Sequence, residues 1–284
     1  NIPGSGPWTP QNYDHEFKGL MTLTTALKES RNIPAVRVSE AVGREAVRAV
    51  ATGFGIESSL ADGPALALGA SESTLIEMTG AYAGILNGGS SVTPYGMVDL
   101  RLKGENEPLM GAGGGIGERV ISEDAAKLLT YMMEQVMISG TGTKARLDDR
   151  PAAGKTGTTS AARDAWFIGF TADYVTGVWI GNDNDKPMNK VTGGEVAATI
   201  WRDFMVTAHA KLPAREFEWL LPDPEATYEA DPRNYFFEGL ADAASDSTGS
   251  QVAVGDLQAR VADPEGHLGA EDEGEMATFL SMPL

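Results

Sequence analysis

The stretch Ala152-Ala153-Gly154-Lys155-Thr156-Gly157-Thr158-Thr159 sets a lysine, a small hydroxyl residue and a glycine in a row between apolar runs. Strand alternation directs Lys155 and Gly157 to one face and Thr156 and Thr158 to the other. These side chains therefore cannot all reach one ligand. A glycine at 157 lets a peptide lie close against the strand and pair with its backbone N–H and C=O groups. Two runs rich in aromatic and β-branched residues follow, Ala165-Trp166-Phe167-Ile168-Gly169-Phe170 and Tyr174-Val175-Thr176-Gly177-Val178-Trp179-Ile180-Gly181, joined by Thr171-Ala172-Asp173. They predict a β-hairpin, with the lysine strand as the third, adjacent member of one antiparallel sheet.

A phosphate loop is the rival use of Gly-Lys-Thr. It needs a further glycine at position 149, where the chain has Asp149, an acid that would repel phosphate. Taken alone, Lys-Thr-Gly on an ordinary surface strand is the plain alternative.

The composition narrows the field. With 284 residues and 42% hydrophobic content the chain can bury a proper core, as one large domain or as a domain with a tail. It has no cysteine, which excludes disulfides and thiolate metal sites and suits an exported protein. Its three histidines, His15, His209 and His267, have no ligand spacing. No metal site and no cofactor is expected. The net charge of −18 is uneven: residues 1–211 carry 19 basic and 24 acidic side chains, residues 212–284 only 3 and 16. That balance disfavours nucleic acid as a partner. No apolar run approaches the roughly 20 residues that span a bilayer, and no signal peptide opens the chain. Beginning at Asn1-Ile2-Pro3-Gly4, it is expected to be an internal piece of something longer.

Residues 1–14 are turn-rich and read as an ordered loop. A short helix is expected from Phe17 to Lys28 on Leu20, Leu23 and Leu27. Asn32 before Ile33-Pro34 predicts a capped second helix to about Val42, with a third over Arg44–Ala51. Thr74-Leu75-Ile76-Glu77 is a capping box, and Leu75, Met78, Tyr82 and Ile85 follow on one helical face. Val92–Lys103 has strand character broken at Pro94 and Gly96, and Gly104–Gly117 reads as a flexible link. Ser122 caps a helix that ends at Gly140, and Val196–Ala210 predicts another with Ile200, Phe204 and Val206 among its apolar positions. The body, residues 1–211, is of α/β (α+β) type with clustered antiparallel strands. Residues 212–284 are expected to form an acidic, proline-interrupted extension, partly disordered and mobile over its last forty or so residues. Phe217, Trp219, Tyr235, Phe236 and Phe237 would tack its first half to the body.

Ser30-Arg31-Asn32 and Lys155-Thr156-Gly157 carry a resemblance. The penicillin-recognising serine enzymes bear Ser-x-x-Lys, Ser-x-Asn and Lys-Thr-Gly signatures. The chain resembles the transpeptidase domain of class A penicillin-binding proteins over roughly residues 7–206. Trp8 to Asp14, Leu23 to Pro34, Ala67-Leu68-Gly69, Ala81-Tyr82-Ala83 and Asn87-Gly88-Gly89 are similar to that family's text. So are Gly140-Thr141-Gly142, Asp164 to Gly169, Val178 to Gly181 and Thr192-Gly193-Gly194. The resemblance implies the penicillin-binding/β-lactamase-like transpeptidase fold, an antiparallel sheet packed with helices plus a helical subdomain, with the N-terminal part of the domain expected to be missing here.

It also implies roles. Ser30 would relay a proton between lysines and the leaving amine, where the bland alternative is a helix-cap serine. Asn32 would bond the substrate backbone and a catalytic lysine, where the alternative is an N-cap. Lys155 would steer the substrate carboxylate and hold the Ser30 hydroxyl. Thr156 and Thr158 would grip that carboxylate beside Gly157, and the Thr158 N–H would be one oxyanion donor. Partners implied are D-Ala-D-Ala peptidoglycan stem peptides, β-lactams and cell-wall synthesis proteins. The implied full-length protein has a glycosyltransferase domain and an N-terminal membrane anchor, with this part on the periplasmic side.

One departure stands out. Residues 1–284 contain no Ser-x-x-Lys; the nearest imitation, Ser160-Ala161-Ala162-Arg163, ends in a residue that stays protonated. In the family that serine precedes Ser-x-Asn by roughly sixty residues, so it is expected before Asn1 and this chain alone is expected to be inactive. A serine β-lactamase or D,D-carboxypeptidase, and a non-catalytic module that binds stem peptides or β-lactams, are the competing functions.

Overall fold

The computed structural model describes residues 8–111, 113–159 and 162–217. Three helices open it: α1 (Leu23–Lys28), α2 (Asn32–Val42) and α3 (Arg44–Gly53). A 3-10 turn (Pro64–Leu68) leads to α4 (Leu75–Leu86). Four short strands follow: β1 (Ser90–Thr93), β2 (Asp99–Arg101), β3 (Pro108–Gly111) and β4 (Gly115–Arg119). Helix α5 (Glu123–Ser139) precedes β5 (Ala153–Thr158), β6 (Asp164–Phe170) and β7 (Val175–Gly181). A π turn (Gly193–Ala197) runs directly into α6 (Ala198–Ala208).

The lysine stretch forms the expected sheet. β5, β6 and β7 are antiparallel in that order, with Lys155 opposite Ile168, Gly157 opposite Trp166 and Trp166 opposite Trp179. The period of two sorts its side chains between two cores. Ala153, Trp166, Ile168 and Phe170 pack with Met78, Ala81, Tyr82 and Ile85 of α4 and Met133 of α5. Phe167 packs with Ala198, Trp201 and Met205 of α6. The Trp201 ring meets Phe167 edge-on at 5.3 Å, and its N–H donates to the Thr176 carbonyl at 3.0 Å. A buried indole thus keeps a partner for its only polar group.

Local signals set several boundaries. The Thr74–Glu77 capping box forms, with the Glu77 N–H on the Thr74 hydroxyl at 3.2 Å and the Thr74 N–H on the Glu77 carboxylate at 2.8 Å. Glu77 also takes the N–H groups of Glu57 and Ser58 and the Ser58 hydroxyl. Ser122 caps α5 through the Ala125 N–H.

Four expectations are corrected. The first helix begins at Leu23, not near Phe17: Gly19 takes a φ of +74°, Thr22 is the cap, and Phe17 and Leu20 lie in solvent. Residues 104–117 are not simply a link. They hold β3 and the first residues of β4, which pair with β2 and β1, so distant partners override a glycine-rich composition. In α6 the buried residues are Ala198, Trp201 and Met205, whereas Ile200, Phe204 and Val206 are exposed. Trp201 and Met205 decide the inward face, with the small Ala198 packed beside them, and the preceding π turn delays the helix to Ala198. On α4, Leu75 is partly exposed while Met78, Tyr82 and Ile85 are buried.

The chain leaves the body along the sheet. Arg150, buried, donates to the carbonyls of Leu212 and Pro213, and Phe217 meets Phe170 edge-on at 5.7 Å. Trp219, Tyr235, Phe236, Phe237 and the expected mobile end lie outside the described residues.

Candidate active site

Lys155 sits in the middle of β5 and is 3% exposed. Its ammonium donates to the Ser30 hydroxyl at 2.8 Å and to the Thr156 carbonyl at 3.1 Å. Both acceptors are neutral oxygens. Burial therefore pulls the lysine pKa from 10.5 to about 7. A group poised there exchanges a proton readily at neutral pH.

Ser30 reaches Lys155 because α1 ends in a reversed turn. The N–H of Ser30 donates to the Leu27 carbonyl and the N–H of Arg31 to the Ala26 carbonyl, a Schellman pair. Ser30 holds the left-handed position with a φ of +56°, a place glycine usually fills. The turn sends α2 off in a new direction, with Asn32 as its first residue and Arg31 in the cap position.

Asn32 is not the N-cap. Its own N–H and that of Ile33 donate to the side-chain carbonyl of Asn12, at 3.0 and 3.4 Å, so the cap comes from the loop before α1. The Asn32 amide NH2 donates to the Gln11 carbonyl at 2.7 Å. Its side-chain oxygen is buried and has no hydrogen-bond partner among the described residues.

Thr156 and Thr158 lie on the strand face opposite Lys155, as alternation requires. The Thr156 hydroxyl shares a 2.7 Å hydrogen bond with that of Thr141, and the Thr158 hydroxyl accepts the Gly193 N–H at 3.0 Å. Gly157 lies between them, under the turn at Thr192-Gly193; a Cβ on Gly193 would collide with the carbonyls of Gly157 and Trp166. The structure thus brings Ser30, Lys155 and the head of α2 together, and engages the two threonine hydroxyls within the fold.

The end of α1 and the strand are joined twice. Besides Lys155 to Ser30, the Thr141 N–H donates to the Lys28 carbonyl at 3.0 Å, and Thr141 holds Thr156. Lys28, Thr141, Thr156, Lys155 and Ser30 form a closed circuit. Beyond Thr158, Asp164 fixes the β5–β6 turn: its carboxylate takes the Thr159 hydroxyl at 3.0 Å and the Trp179 N–H at 2.9 Å.

Sequence reasoning missed Asn12, Arg31, Thr141 and Gly193. Each lies inside a stretch quoted for the resemblance, but only the folded chain reveals what it touches. Among the described residues no three His, Cys, Asp or Glu side chains cluster as a metal site, and no helix is long and apolar enough to cross a membrane.

An edge lysine strand facing a Ser-x-Asn turn, with helices on both sheet faces, is the arrangement of the penicillin-recognising serine enzymes as a class. The family profile described as penicillin binding protein transpeptidase domain matches residues 1–206, and the chain belongs to that family. It is 33% identical over 258 residues to penicillin-binding protein 1A of Aquifex aeolicus, covering 89% of this chain and 35% of that protein. To penicillin-binding protein 1A of Neisseria meningitidis it is 35% identical over 216 residues, covering 72% and 27%. The crystal structure of penicillin-binding protein 1A from Haemophilus influenzae matches with a TM-score of 0.63 at 28% identity, over 78% of this chain and 39% of that one. PonA1 of Mycobacterium tuberculosis matches with a TM-score of 0.67 at 25% identity, over 75% and 65%. The chain therefore spans about a third of the length of such curated relatives.

Proposed function

We propose that this domain takes part in serine acyl transfer from D-Ala-D-Ala stem peptides, cross-linking peptidoglycan, and that β-lactams acylate the same centre. The 2.8 Å contact between Lys155 and Ser30 carries the reading. A serine oxygen attacks the carbonyl of the D-Ala-D-Ala bond, the C–N bond breaks, and Ser30 with Lys155 delivers the serine's proton to the departing amine. An acceptor amine then attacks the acyl ester, forming the cross-link as the serine C–O bond breaks, and the proton the amine loses returns through Ser30 and Lys155 to the serine oxygen. Gly157 and the backbone of β5 suit an extended peptide lying along the strand, and the Thr158 N–H suits one oxyanion donor. The Thr158 hydroxyl accepts from Gly193 and keeps its own proton to donate to the substrate carboxylate, and Thr156 does the same when Thr141 is the donor of their shared bond.

The nucleophile is the serine of a Ser-x-x-Lys, which residues 1–284 do not contain. We assign it to sequence outside this chain. The buried side-chain oxygen of Asn32, unpartnered among the described residues, suits the ammonium of that motif's lysine. PonA1 of M. tuberculosis has been solved in complex with penicillin V, which supports the β-lactam part of the reading. By the same family relation the whole protein would carry a glycosyltransferase domain and a membrane anchor, with this domain outside the cytoplasmic membrane.

Intact-mass spectrometry after incubation with a penicillin tests the reading. The 284-residue chain should gain no mass, and a longer polypeptide restoring the Ser-x-x-Lys segment should gain one penicillin. An adduct on the 284-residue chain itself would make one of its own serines, Ser30 first, the nucleophile. Reversible binding without an adduct on the longer polypeptide would make it a binding module, and rapid hydrolysis of the adduct a β-lactamase.

A further inference from the structure

The middle residue of Ser30-Arg31-Asn32 has no role in the chemistry above, yet its side chain is only 6% exposed. Its guanidinium donates to both oxygens of Asp14 at 2.8 Å and, through Nε, to Glu29 at 3.0 Å. Each acid is itself anchored: Asp14 accepts the Glu16 N–H at 3.0 Å, and Glu29 accepts from Lys18 at 2.9 Å. The backbone bond from Glu16 and then Arg31 hold Asp14 below its ordinary pKa, and Lys18 and then Arg31 do the same for Glu29. Burial opposes the charge on Arg31, but the two acids more than offset it.

Glu29 and Arg31 flank Ser30, so their ion pair spans it. In a continuing helix, residues two apart point to different sides and such a pair could not close. The left-handed turn at Ser30 brings the flanking side chains together and turns the Ser30 hydroxyl toward Lys155. A serine has no glycine-like freedom to hold that conformation unaided. Returning Ser30 to ordinary backbone geometry would pull a buried, permanently charged guanidinium away from two carboxylates.

We propose that Arg31 is a positioning residue that locks Ser30 in its left-handed turn, through Asp14 and Glu29, and so presents the Ser30 hydroxyl to Lys155. The role rests on the acyl-transfer reading only for its catalytic consequence; the conformational claim stands by itself. Arg31 reaches two carboxylates in different directions from one planar fork, which a lysine cannot reproduce.

Two measurements test it. In the 284-residue chain, the 13C shifts of Ser30, which report its backbone geometry, should leave the left-handed range in Arg31→Met and shift only in part in Arg31→Lys. In a longer polypeptide that includes the Ser-x-x-Lys segment, Arg31→Met should slow the acylation step with penicillin by about tenfold or more. The preceding non-covalent affinity should stay within about twofold, and Arg31→Lys should recover part of the rate. A general loss of stability would not produce that split. A folded Arg31→Met with unchanged Ser30 shifts, or acylated at the parent rate, would overturn the proposal. Should Arg31→Met not fold, Asp14→Asn and Glu29→Gln each remove one partner; each should slow acylation by about threefold, and parent rates in both would overturn it. If the unsubstituted longer polypeptide is not acylated at all, the acyl-transfer reading fails, and the Ser30 shifts alone decide the role of Arg31.

Discussion

The ammonium of Lys155 donates to the hydroxyl of Ser30 across 2.8 Å, linking the edge strand to the turn between two helices. That lysine is buried with neutral acceptors, and its pKa of about 7 is well below the ordinary 10.5. Between those values the unfolded chain keeps the proton that the folded one has shed, so this group makes stability rise with pH across that window. Below pH 7 both states are charged and the burial penalty is felt in full. Urea unfolding at pH 6.5 and 9.5 should therefore show Lys155→Met gaining on the parent at the lower pH, by a few kcal/mol at most, and less at the higher. In the longer polypeptide, Lys155→Ala should nearly abolish acylation; a near-normal rate would remove Lys155 from the relay.

Ser30 takes a φ of +56°. Ser30→Ala and Ser30→Gly both lose the hydroxyl, so their difference isolates the backbone. Ser30→Gly should be the more stable by about 1 kcal/mol, because only alanine retains the Cβ clash of the left-handed turn. Equal unfolding midpoints would mean that the turn relaxes freely.

Asn12 caps α2 from across the loop. Asn12→Ala should cost about 1 kcal/mol of stability, and Asn12→Asp, which keeps an acceptor at the helix N-terminus, should cost less. Chemical denaturation of the two variants checks the order.

Glu77 is the acid most shifted toward ionisation. Burial pushes its pKa up, but the hydrogen bonds from Thr74, Ser58 and Glu57 outweigh that and set it at about 2, below the ordinary 4.5. Its contribution is present above pH 4.5 and is lost as pH falls from 4.5 through 2. Glu77→Gln should be less stable at neutral pH by about 1–2 kcal/mol, allowing for partial exposure, and should approach the parent near pH 2. Parallel curves across that range would deny Glu77 its role.

Features coded by near neighbours were legible in the sequence. The Lys155 strand, its hairpin, the Thr74 capping box and the Ser122 cap follow from residues within a few positions of one another. What escaped depends on distant contacts. Residues 104–117 become partly strand only because β1 and β2 pair with them. The inward face of α6 is set by the space around Phe167, which favours Trp201 and Met205 over Ile200 and Phe204. Lys155 and Ser30 could be paired only through family resemblance, since 125 positions separate them. Asn12 and Asp14 join Asn32 and Arg31 across 20 and 17 positions, and no periodicity announces such a pair.

The circuit through Lys28, Thr141, Thr156, Lys155 and Ser30 bears on rigidity as well as on contact. Because α1 and β5 are tied at two points, neither tie can lengthen without straining the other, and the distance between the lysine ammonium and the serine hydroxyl is set at folding. The ordering entropy of that pair is spent before any ligand arrives.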